Sequence, residues 1–260
     1  MSKISKNKSQ TKKIRYALLD EIRGFMVLCM VFYHGFLTVY NLLELPVSLR
    51  LFEFFTPIEP LFAAGFIILS GLMCGFSRSN IKRGALLSAF SVLLTIVTAV
   101  ASNYVGDMTI YFGILHLLGV SMLFCGVFNF ILKRVNKYIG LILSLAAAVI
   151  TYGFFDSNLD LLGITNLLPV SVYKNPYLFP LGITTAEFSS ADYFPILPWL
   201  FVFLFGYYLY KFEFVQRHSK LFKPKRIKPL GFLGRHALII YVVHQPIIYA
   251  LCYLTLLFMR

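Results

Sequence analysis

Seven apolar segments, each long enough to cross the roughly 30 Å hydrocarbon core of a bilayer, dominate this 260-residue chain. They fall near 20–43, 57–76, 84–105, 110–131, 138–155, 192–211 and 231–256. Composition agrees, with 58% hydrophobic and 13% charged residues, where a soluble domain carries about a quarter charged. The chain is therefore expected to be an all-α, polytopic membrane protein of about seven transmembrane helices. The only strongly basic stretches are 1–16 and 211–231, which leaves no room for a separate soluble domain. Residues 17–260 read as a single transmembrane domain and residues 1–16 as a disordered basic cytoplasmic tail.

Charge alternates along the connections. Lysines and arginines gather in 1–16, in 77–83 (Arg78, Lys82, Arg83), in 132–137 and in 211–230. The opposite connections hold only Arg50 and Lys174, with Arg260 at the tail, and they hold most of the acids. The positive-inside rule then puts the N-terminus in the cytoplasm and the C-terminus outside. This placement explains the net charge of +13, so nucleic acid is not an expected partner and the lipid bilayer is. The first apolar stretch is too long for a signal peptide and contains Arg23 and His34, so it reads as a retained helix. The four cysteines all lie in apolar segments without metal-ligand spacing. They read as small buried hydrophobes rather than a disulfide framework.

No internal repeat, P-loop or dinucleotide fingerprint is present. The stretch 44–56 is short and mixed and suits the outer interface. The long outer connection 156–191 is too broken by Pro, Asn and Thr to span, and reads as either a lid or an interfacial cover.

Polar residues inside the apolar segments carry the functional signal. Ionisable groups are expensive in a bilayer and usually mark a pathway or a site. His34, His116 and His244 lie in three different segments. A rise of about 1.5 Å per residue puts His34 and His244 about 20 Å from the inner side and His116 about 9 Å below the outer boundary, which is one common level. In the first segment Arg23 and His34 share a face, about 16 Å apart along the axis, with Asp20 one turn before Arg23. Arg23 alone would equally suit the inner headgroups, paired with Asp20. Gln245 adds a neutral donor and acceptor beside His244, and Pro246 interrupts the helix there. Arg235 and His236 suit either an anionic ligand or lipid headgroups. Glu59 stands near the outer mouth, and Asp192 is either a site acid or an ordinary boundary acid. Gly65, Ser70, Gly71 and Gly75 form a small-residue strip suited to close helix packing.

Inner cations, a deep imidazole and outer acids suit the movement of an acyl group across a membrane. The phosphates of a cytoplasmic acyl-CoA would meet Arg78, Lys82 and Arg83, and its pantetheine arm would pass Arg23. A neutral imidazole would then act as a base or carry the acyl group. The same layout would serve a proton-coupled transporter or flippase for a small polar or lipid-linked solute.

The segments LDEIRGFMVLCMVFYH, FGILHLLGVSML, SSADYFPILPWLFVFLFGYYL and FLGRHALIIYVVHQP together resemble the bacterial family of heparan-alpha-glucosaminide N-acetyltransferase catalytic-domain proteins, over nearly the whole chain. The Arg23-to-His34 spacing and the ILSG segment at 68–71 also resemble the wider group of transmembrane acyltransferases that O-acetylate surface sugars. The resemblance implies a multi-pass enzyme of the bacterial cytoplasmic membrane. It would move an acetyl group from cytoplasmic acetyl-CoA, without a metal, to a sugar-type amine or hydroxyl on the far side. The catalytic histidine of that pattern maps onto His34, with Arg23 as its partner, and His116 and His244 match motif positions. The expected catalytic set is thus His34, Arg23, Asp20, His116 and His244. Arg78, Lys82, Arg83, Arg235 and Ser70 would hold acetyl-CoA. Glu59, Asp192 and Gln245 would meet a small-molecule or glycan acceptor. The pattern is compatible with an oligomer.

Overall fold

A computed structural model describes residues 17–106, 108–155, 172, 174–212 and 227–259, with backbone alone at 153–155. The expected tail 1–16 lies outside the described residues, as do 156–171 and most of the basic stretch 211–231. The described chain is helical: α1 (Ala17–Leu43), α2 (Pro46–Phe55), α3 (Glu59–Gly75), α4 (Asn80–Val105), α5 (Ile114–Val127), α6 (Asn129–Arg134), α7 (Lys137–Phe155), α8 (Ile196–Tyr210), α9 (Lys228–Arg235) and α10 (Ala237–Met259). A 3-10 turn at Pro176–Leu181 precedes α8.

All seven expected segments are helical, but their lengths differ from the expectation. Among the described residues only α1, α4 and α10 are each long and apolar enough to cross a bilayer, and α2 with α3, bent by 53°, counts as a fourth when the pair is taken as one span. The span expected at 110–131 divides into α5 and the short α6, and the one at 231–256 breaks between α9 and α10. The first difference arises because 109–112 is extended. The Thr109 and Phe112 carbonyls accept from the Ala191 and Phe194 amides, at 3.0 and 2.9 Å. The second arises at His236, whose ring Nδ1 lies 2.9 Å from the Phe232 carbonyl that its own amide also approaches. That carbonyl is satisfied without the helix continuing.

The two shorter helices, α5 and α8, lie at the centre. α5 buries residues all round, including Leu117, Leu118, Ser121 and Cys125, as a helix without a solvent or lipid face must. Ile67 of α3, Leu117 of α5 and Phe203 of α8 are fully buried together. α1 packs on α3, α9 and α10, while α4 packs on α5 and α7 on α8. Large apolar side chains outside this core are more than half exposed, among them Leu86, Ile96 and Val100 on α4, Ile142 on α7 and Leu257 on α10. So much open apolar surface would associate in water, and it matches lipid tails.

Close helix approach depends on the expected small-residue strip. A Cβ at Gly71 would sit 2.0 Å from the Phe203 carbonyl, and one at Gly206 2.0 Å from the Ile68 carbonyl, so α3 and α8 cross backbone to backbone. Gly75 makes room for the Tyr210 ring and Gly65 for the Met26 side chain.

Lys211, just past α8, donates its ammonium to the Leu132, Lys133 and Val135 carbonyls at 2.8, 3.1 and 2.8 Å. All three of its N–H groups thereby close the C-terminal end of α6, where carbonyls lack helical partners and the helix dipole favours a cation. Lys211→Met is expected to lower stability by about 1–2 kcal/mol. Unfolding in detergent, compared with wild type, reads this directly, and an unchanged midpoint would show the clamp to be dispensable.

Candidate functional site

A cavity of about 330 Å³ runs between α1, α3, α4, α5 and α10, within the roughly 300–1,000 Å³ range of small-molecule sites. Arg23, Arg83 and Arg235 line one end. Met26, Met30, Phe66 and Met73 make its apolar middle, and His34, Glu59, Asp192 and Tyr241 line the other end. Chain direction sets this polarity. α1 enters at Arg23 and reaches His34 eleven residues later, about 16 Å along the axis, while α3 runs back from Glu59 to Ser70 and Met73.

At the cationic end, Arg23 donates to Asp20 at 3.2 Å, the expected pair on one face of α1. Arg23 and Arg83 are near enough for their charges to oppose each other. Arg83 and Arg235 are exposed at the mouth. Ser70 lines the wall but donates its hydroxyl to the Phe66 carbonyl of its own helix. Arg78 and Lys82 are exposed and do not line the cavity.

The carboxylate end is built by two extended segments. Residues 190–194 run beside 109–112 and bring Asp192 to the first turn of α5, where its Oδ2 accepts from the Ile114 amide at 2.9 Å. The helix N-terminus favours that negative charge. The Tyr241 hydroxyl of α10 donates to the same oxygen. A Cβ at Gly113 would come 2.2 Å from Asp192 Oδ2, so only glycine leaves room there. Glu59 and Asp192 are close enough to interact electrostatically. Tyr33, stacked on Phe52 of α2 with centroids 4.9 Å apart, borders the same end.

The three histidines divide in role. His34 and His244 meet, with ring centroids 5.5 Å apart, as their common level predicts. His34 faces the cavity, and among the described residues no hydrogen bond holds its ring. His116 sits near Asp192 but does not line the cavity. Its Nδ1 accepts from the Gly113 amide at 3.2 Å, so its Nε2 carries the hydrogen and donates to Thr95 at 3.1 Å. The Thr95 hydroxyl in turn donates to the Ile110 carbonyl at 2.7 Å. Both ring nitrogens of His116 are thus engaged at the N-terminus of α5. Gln245 likewise faces a helix rather than the cavity, accepting from the Thr38 hydroxyl at 3.1 Å.

The reading of the sequence missed Tyr241 and Tyr33. Tyr241 precedes His244 by three residues, about one helical turn, and that spacing was the available signal. Tyr33 precedes His34 and had no distinguishing signal.

The comparisons with known proteins cover this whole site. A family model described as heparan-alpha-glucosaminide N-acetyltransferase, catalytic, matches residues 15–246. No curated protein and no solved structure matches the chain.

Proposed function

The chain belongs to the heparan-alpha-glucosaminide N-acetyltransferase catalytic family, and on that premise we propose that it transfers an acetyl group from acetyl-CoA to a sugar-type amine or hydroxyl on the opposite side of the membrane. The observation that carries this reading is one cavity lined by three guanidiniums toward one end and by His34 with the carboxylates of Glu59 and Asp192 toward the other. We read the arginine end as cytoplasmic, because the basic connections lie on that side, and we read α5, α7 and α8 as completing seven crossings.

Each part of the cavity has a role in that reaction. Arg23, Arg83 and Arg235 hold the phosphates through charge-assisted hydrogen bonds, while Arg78 and Lys82 outside the mouth raise the local concentration of the anion. The Met26, Met30 and Met73 side chains adapt to an extended arm. His34 stands where the thioester would arrive and takes the proton of the attacking amine or hydroxyl. Glu59 and the Asp192–Tyr241 pair meet the acceptor. Their charge favours an acceptor that brings a cation or several hydroxyls.

Arg83→Gln and Arg235→Gln are each expected to weaken acetyl-CoA binding by about tenfold, the size of one lost charged hydrogen bond. The loss should shrink as salt screens the wild-type interaction. Titration of purified protein by calorimetry reads both effects. Wild-type affinity in both variants would remove the arginine end from the acetyl-CoA site.

A further inference from the structure

His244 is 8% exposed, and its two ring nitrogens differ. Nδ1 lies 2.7 Å from the Tyr241 carbonyl, one helical turn back. A carbonyl only accepts, so Nδ1 carries the hydrogen. Nε2 is then a bare lone pair, and it is buried without a hydrogen-bond partner among the described residues. Buried polar atoms nearly always have partners, and an orphan points to an interaction formed in another state. The ring it can reach is that of His34, with centroids 5.5 Å apart and planes inclined by 51°. A centroid separation of that size matches two imidazoles placed edge to edge with a nitrogen-to-nitrogen hydrogen bond of roughly 2.7–3.2 Å.

The backbone holds the two rings in register. Thr38, one turn beyond His34 on the same face of α1, donates to Gln245, the neighbour of His244, at 3.1 Å. Gly35 lets the Ile248 side chain approach to 3.5 Å of its Cβ position. The other titratable groups around the pair are Tyr33 on the side of α1, Glu59 from α3, His116 from α5, Asp192 from the extended segment, and Tyr241 on α10 itself.

We infer that His244 is the positioning residue for His34: its Nε2 accepts the hydrogen on the inner nitrogen of the His34 ring, which turns the other nitrogen to the cavity as a base. The inference rests on the acetyl-transfer reading above. As the acceptor nitrogen or oxygen forms its bond to the thioester carbonyl, its proton passes to the cavity-side nitrogen of His34. The carbon–sulfur bond breaks, and the proton leaves on sulfur as the free thiol of CoA. While His34 carries the extra proton, His244 shares its charge. The Tyr241 carbonyl keeps the tautomer of His244 fixed throughout. His116 has no such part, since both its nitrogens are engaged elsewhere.

The test uses full-length protein in detergent, acetyl-CoA as donor and glucosamine as probe acceptor. It measures CoA release and acetyl-CoA affinity for wild type, His244→Phe and His244→Gln, with His244→Leu in place of the phenylalanine variant if the larger ring prevents folding. The apolar variant is expected to lower kcat by about 10–100-fold, the size seen when a group orienting a functional histidine is removed, with acetyl-CoA affinity unchanged. Glutamine puts an amide oxygen near the Nε2 position and is expected to recover most of the rate. An apolar variant with wild-type kcat, or a glutamine variant as slow as the apolar one, overturns the assignment of His244 alone. A folded wild type that neither binds acetyl-CoA nor releases CoA overturns the acetyl-transfer reading and this inference with it.

Discussion

His34→Ala is expected to lower acetyl transfer by about a thousandfold, within the roughly 10²–10⁴-fold range for loss of a positioned general base, while acetyl-CoA binding stays within twofold of wild type. The two effects separate because the arginines and the histidine lie at opposite ends of one cavity. Removing the imidazole leaves the phosphate contacts about 16 Å away untouched. His34 has no hydrogen bond to a described residue in this structure, where His244 Nε2 is already without a partner, so the fold should survive its loss. A CoA-release assay beside a binding titration reads both quantities. A variant that transfers acetyl at the wild-type rate would remove His34 from the chemistry. One that binds no acetyl-CoA would show that the two ends are not separate.

Gly234→Val is expected to cause the largest structural loss of any single change considered. A Cβ at Gly234 would lie 1.7 Å from the Asp20 carbonyl, and one at Gly24 would lie 2.0 Å from the Leu230 carbonyl. α1 and α9 therefore cross with only hydrogen between backbones. Overpacking a core usually costs about 1–3 kcal/mol, and here the clash is with backbone, which cannot rotate away, so the cost should lie at or above that range. Moving α9 outward would also carry Arg235 away from Arg23 and open the cationic mouth. Folded yield, melting temperature and acetyl-CoA affinity should all fall, in contrast to the selective loss in His34→Ala. A Gly234→Val protein with wild-type melting and binding would show that the helices are farther apart than described.

Much of this arrangement was legible from periodicity. About three helical turns separate Arg23 from His34, and the same rise counted along the last segment predicts the level at which His244 meets it. The Asp20–Arg23 pair and the packing role of Gly71 also follow from local spacing. The part that was not legible depends on where helices stop. An apolar run at 110–113 looks like the start of a spanning helix, yet it is extended, because backbone partners at 191 and 194 satisfy it from about 80 residues away. Once α5 begins at Ile114, His116 falls in its first turn and its ring caps the Gly113 amide. The same pairing delivers Asp192 to a helix N-terminus and to Tyr241, a contact 49 residues apart in sequence. No local pattern announces contacts of that range. Ser70 was read as a contact for acetyl-CoA, but its hydroxyl is already bonded to Phe66, an ordinary outcome for serine inside a membrane helix.

Sided acetyl transfer in sealed proteoliposomes tests the central claim most directly. Glucosamine is trapped inside, acetyl-labelled acetyl-CoA is added outside, and N-acetylglucosamine is measured in the lumen. If the cavity carries acetyl groups from the arginine end to the His34 end, labelled product accumulates inside, with His34→Ala vesicles giving none above background. Product formed only outside, or no product from folded protein that binds acetyl-CoA, would contradict transfer across the membrane through this cavity.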